Sequence, residues 1–216
     1  MILGCDISHW QGKRIDFNKM KSAGMQFVFI KATDFAWKTG VDDTFLFNLQ
    51  KAKEAGIMTG AYHWWICDSK FGVAEQIGLM KMHIAPVLRD LNLPIALDVE
   101  VGGTPKSLWS ARLMQTCYEI ENWTGRKPII YTSPTIWKGN ALAYETFAQY
   151  HLWIANYKVT TPYVPLPWTK WTFWQYAAGV TDPVANNSEN YGVSKYDSKA
   201  LDTNWFNGTL EQLKEL

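Results

Sequence analysis

Cysteine is scarce in this chain: Cys5, Cys67 and Cys117 lie far apart in 216 residues. None stands in a C-x-x-C pair or at a Cys/His ligand spacing, so all three read as small buried hydrophobes and no metal site is drawn from them. Charge of one sign is equally lacking. With 21 basic and 20 acidic residues spread along the chain, the net charge is +1, which argues against tracking a nucleic-acid backbone. No apolar run of about 18 residues is present to span a membrane. Residues 1–15 also lack the basic and then apolar segments of a secretory signal. Repeats, low-complexity tracts and interdomain linkers are absent too. The expectation is a soluble, monomeric protein made in a cytoplasm; if it acts outside, something other than its amino terminus releases it.

What is abundant is aromatic surface: twelve Trp, ten Tyr and ten Phe, 15% of the chain. Some of these rings are core, but flat apolar faces with a polar edge also suit the faces of sugar rings. The length fits one domain.

Strand-like apolar runs alternate with helical segments, the pattern of parallel strands joined by helical crossovers. Strands are expected at Ile2–Ser8, Gln26–Ala32, Ile57–Trp65, the run ending at Glu100, Pro128–Thr132, Leu152–Asn156, Thr172–Ala177 and Leu201–Phe206. Helices are expected at Ile15–Ala23, from about Asp42 to Ala55, from about Phe71 to Leu91 and from about Ser107 to Trp123. The segment 209–216 reads as a short helix, tail or linker stub after a domain spanning 1–208. The fold class is α/β: an irregular TIM-like barrel of about eight strands and five helices.

Leu97-Asp98-Val99-Glu100 is the most informative segment. In a strand, residues i and i+2 share a face, so Asp98 and Glu100 point the same way with Cβ atoms about 6.5–7 Å apart. Paired carboxylates are the minimum equipment for splitting a glycosidic bond, one held protonated by burial and its neighbour's charge. Other polar residues also gather at the carboxyl ends of expected strands: Asp6 and Ser8, Lys31 and Thr33, Tyr62 and His63. In a β/α barrel that is the functional end.

The segments Gly4-Cys5-Asp6-Ile7-Ser8-His9-Trp10-Gln11-Gly12, Phe27–Thr33, Gly60-Ala61-Tyr62-His63, Leu97–Glu100, Pro128–Thr132, Leu152–Ala155, Phe173–Tyr176 and Leu201–Gly208 come in an order that resembles the glycoside hydrolase family 25 lysozymes. The resemblance implies a modified barrel that hydrolyses the β-1,4 bond between N-acetylmuramic acid and N-acetylglucosamine in peptidoglycan, without a cofactor. It implies peptidoglycan glycan strands as the partner and, given the missing signal, a phage or prophage endolysin domain released through a holin.

Carried onto this sequence, Glu100 is the general acid and Asp98 a stabiliser of positive charge or a nucleophile, with net retention favoured. Asp6 and Asp202, at the ends of the first and last strands, support them electrostatically, since those strands adjoin in a closed barrel. Tyr62, Tyr131, Gln175, Trp64, Trp153 and Trp174 are candidate sugar contacts, as are Lys31 and Asp34. Two positions depart from the family pattern: Asp34 stands where Glu is frequent, and Trp64-Trp65 where a single Phe is more usual. His63 has no second ligand at metal spacing and reads as a hydrogen-bonded structural histidine. A family 18 chitinase would need an acid where Ala96 stands. A non-catalytic sugar-binding barrel is the alternative of a different class, and retention of both acids speaks against it.

Overall fold

A computed structural model describes residues 1–35, 40–68, 72–142, 144–179, 182–194 and 200–216. Eight strands form a closed barrel in sequence order: β1 (Ile2–Ile7), β2 (Phe27–Asp34), β3 (Met58–Trp65), β4 (Ala96–Val99), β5 (Ile129–Thr132), β6 (His151–Ala155), β7 (Phe173–Ala177) and β8 (Asp202–Phe206). The first seven run parallel to their neighbours. The pattern of parallel strands with helical crossovers gives way at β8, which is antiparallel to both β7 and β1. No α-helical crossover precedes β8 among the described residues. The chain passes from the carboxyl end of β7 into β8 on the same side and must run back down.

The α-helices are α1 (Phe17–Ser22), α2 (Phe45–Glu54), α3 (Val73–Ile84), α4 (Lys106–Thr124), α5 (Pro134–Asn140) and α6 (Leu210–Lys214). The long helix expected to Leu91 stops at Ile84 and continues as 3-10 turns over Ala85–Asp90, because Pro86 has no N–H to extend an α-helical ladder. Phe71, its expected start, lies outside the described residues. None of the helices among the described residues is long and apolar enough to cross a membrane.

Aromatic rings fill the barrel. Phe29 stacks on Trp153 at 4.6 Å, and Phe173 contacts Phe27 at 5.3 Å and Phe206 at 5.2 Å. Glycines on the flanking strands make room: a Cβ on Gly4 or Gly60 would lie 2.5 Å from the Phe27 or Phe29 ring. A second aromatic layer packs between strands and helices, running Trp65, Trp109, Trp137 and Trp168. Much of the tryptophan surplus is therefore core.

Residues 209–216 are more than a tail. Thr209 caps α6 with a capping box, and Leu213 is fully buried in the cluster that holds Phe27, Phe173 and Phe206. The helix closes the floor of the barrel.

Candidate active site

Ten of the twelve expected site residues line one cavity of about 190 Å³ at the mouth of the barrel: Asp6, Lys31, Tyr62, Trp64, Asp98, Glu100, Tyr131, Trp153, Gln175 and Asp202. That is below the roughly 300–1,000 Å³ of pockets that enclose a whole small ligand, as suits a cleft that grips part of a polymer. Asp98 pairs with Trp64 on β3 and Tyr131 on β5, and Glu100 follows one residue after β4 ends. Asp202 opens β8 rather than ending it, and the antiparallel register sets it directly opposite Asp6. The expected meeting of the two acids occurs, by a different chain direction.

Two expected residues stand elsewhere. Trp174 packs outward against Trp171 and Tyr176 and donates through Nε1 to the Asn156 carbonyl. Its neighbour Gln175 faces inward, so the strand period turns Trp174 away from sugar. Asp34 stands behind the cavity, accepting from Lys31 Nζ at 2.5 Å. A bulge between Lys31 and Thr33 slips the register against β3 by one residue. It brings residues three apart onto one face.

Hydrogen bonds converge on Asp6. Its Oδ2 accepts from Gln175 Nε2 and Asn204 Nδ2, both at 2.8 Å. Gln175 Oε1 in turn accepts from Tyr131 at 2.8 Å and from the Tyr157 hydroxyl. Trp153 Nε1 donates to Asn204 Oδ1 at 2.8 Å. The Asp98 side chain is buried, and its Oδ1 has no hydrogen-bond partner among the described residues.

Sequence reasoning missed Asn204, Tyr157 and Trp10. Asn204 was legible, two residues beyond Asp202 and so on its face. Trp10, 70% exposed yet lining the cavity, sits inside the first quoted motif. Tyr157 lies in a loop and carried no periodic signal.

Residues 5–183 match the pattern described as glycosyl hydrolases family 25. The chain belongs to that family. It is 32% identical to lysozyme M1 of Streptomyces globisporus over 94% of this chain and 72% of that one. It is 28% identical to the N,O-diacetylmuramidase of Chalaropsis sp. over 100% and 98%. The crystal structure of the Streptomyces coelicolor lysozyme superposes with a TM-score of 0.82 at 29% identity, covering 100% of this chain and 96% of that one. The protein is accordingly a glycoside hydrolase.

In this family 25 enzyme the four carboxyls do not titrate as free acids. Burial raises Glu100, and the Tyr131 hydroxyl and Lys31 partly oppose it. Burial and then the Glu100 charge push Asp98 well up, against the pull of Lys31. Burial is the first cause for both, and Asp98 is the more deeply buried of the two. Asp6 is raised by burial and by Asp202, against its two amide donors. Burial lifts Asp202 to about 6, although the Gly179 N–H holds it down. All four carboxyls around the cavity hold their protons more tightly than exposed acids do.

His63 lies outside this set. Fully buried, it meets Thr33 Oγ1 at 2.8 Å and Gln76 Oε1 at 3.1 Å. Because Oε1 can only accept, Nε2 carries the proton. Among the described residues no group of three or more His, Cys, Asp or Glu side chains is placed to hold a metal ion.

Proposed function

We propose that this family 25 glycoside hydrolase is a lysozyme that cleaves the β-1,4 bond between N-acetylmuramic acid and N-acetylglucosamine in peptidoglycan. Glu100 is the general acid, and Asp98 steadies the substrate's own 2-acetamido group, with net retention. The observation that carries the reading is the unpartnered Asp98 Oδ1, buried in the cavity wall two residues from the Glu100 carboxyl, whose pKa burial raises. An acceptor buried without a donor is unfavourable until a ligand supplies one, and the acetamido N–H does so.

The steps follow from these placements. Glu100 gives its proton to the glycosidic oxygen as the bond to the anomeric carbon breaks. The acetamido carbonyl oxygen attacks that carbon, forming an oxazolinium ring whose N–H lies on Asp98. The ionised Glu100 then takes a proton from water, whose oxygen opens the ring from the face the leaving group vacated. Two displacements restore the original configuration. Asp202, ionised above about pH 6, adds negative potential beside the developing positive charge, and Asp6 holds Gln175 and Asn204 in place. The names of the relatives, lysozyme and N,O-diacetylmuramidase, agree with this substrate.

Purified peptidoglycan digested with the protein and reduced with borohydride should show muraminitol ends by mass spectrometry. Glucosaminitol ends would overturn the bond assignment. Glu100→Gln should lose about 10²–10⁴-fold in rate; unchanged wall lysis by that variant would remove Glu100 from the role. The first product anomer seen by proton NMR should be β, and an α product would exclude retention.

A further inference from the structure

A second polar atom in the same wall lacks a partner. Trp64 Nε1 is buried and bonded to nothing among the described residues. Trp64 and Asp98 are register partners on neighbouring strands, and both line the cavity. An indole N–H only donates, and a carboxyl keeps an accepting oxygen whether or not the other oxygen carries a proton, yet the two are not bonded to each other. Buried polar groups are nearly always satisfied, so a donor and an acceptor orphaned side by side call for a shared explanation. A secondary amide supplies both complements on one rigid planar group.

The Trp64 ring is held rather than loose. Lys31 Nζ lies 4.8 Å from its centroid, and Asp34 fixes that ammonium from behind at 2.5 Å. The β2 bulge described above sets Lys31 and Asp34 on one face to do so. A Phe in its place would offer a ring without a donor.

We infer that Trp64 Nε1 donates to the carbonyl oxygen of the substrate's 2-acetamido group while Asp98 Oδ1 accepts from its N–H. Trp64 is then the residue by which the site selects N-acetylated over N-deacetylated glycan. The inference rests on the proposed reading and adds to it a specificity element. A site built to bond an amide rejects a ligand that lacks the carbonyl, because its buried donor stays unpaired.

The test uses the Glu100→Gln protein, an N-acetylglucosamine–N-acetylmuramic acid tetrasaccharide and its chemically N-deacetylated counterpart. Calorimetry should show a clear preference for the acetylated form. Adding Trp64→Phe, which keeps a ring over Lys31, should cut that preference about 10-fold, the worth of one hydrogen bond, and leave the deacetylated ligand within about twofold. An equal loss for both ligands would make Trp64 a mere wall and overturn the inference, as would an unchanged preference.

Nitrogen-15 indole spectra of the Glu100→Gln protein give a readout independent of the variant's stability. The resonance missing from Trp64→Phe should move downfield with the acetylated ligand alone; a stationary resonance also overturns the inference. Failure of the parent reading is separate: it appears as absent muraminitol ends, or as cleavage of the tetrasaccharide by Glu100→Gln.

Discussion

Asp202 is held at a pKa of about 6 against an ordinary 3.8. The folded state therefore keeps a proton that the unfolded chain has already released, and this favours folding at low pH. The advantage is complete below about pH 4 and is lost as pH rises through 6. Asp202→Asn preserves an acceptor for the Gly179 N–H and should stabilise the protein at pH 7 by about 1–3 kcal/mol. The gain should vanish at pH 3.5, as thermal melts across pH would show. His63 acts in the opposite direction. Burial lowers it from 6.5 to about 4, so the stability it contributes is present above pH 6.5 and lost as pH falls toward 4. His63→Gln should lower the melting temperature throughout and flatten its slope in that window. A slope equal to wild type would show that another group carries the acid sensitivity.

At the scale of elements, the barrel depends on positions where a strand gives space to its neighbour. Gly60→Ala would drive a methyl into the Phe29 ring, and overpacking of this kind costs about 1–3 kcal/mol. A lower urea midpoint with an unchanged slope should report it. Strand positions were legible because apolar runs bounded by Gly, Pro and Asn announce themselves. Helix α5 was not: its periodic signal is too short, although Ser133 capping the Ile136 N–H with Pro134 at the first position is a start signal in plain view. The β2 bulge was illegible in principle, since a one-residue slip is defined only against the partner strand. The direction of β8 was hidden for a similar reason, being set by the side on which the chain leaves β7. Ten cavity positions were legible because polar residues at strand ends obey the barrel rule. Trp174 was misread although alternation with Gln175 was there to use.

At the scale of the whole molecule, mouth and floor have separate duties. The mouth gathers acids, amides and aromatic edges, while α6 closes the floor with Leu213. Removing residues 209–216 should uncover that cluster and cost about 2–4 kcal/mol, the range of a large-to-small core change. Below both melting temperatures kcat/KM should stay within about twofold, because no residue of α6 lines the cavity. A large drop in turnover with an intact fold would mean that floor and mouth are coupled. The same division follows from the reversed strand. Because β8 descends, Phe206 finishes beside Ile2, and both ends of the domain emerge on the floor side. A bead, a surface or a fused module can leash this enzyme by either end, and the catalytic face still looks outward at an insoluble wall.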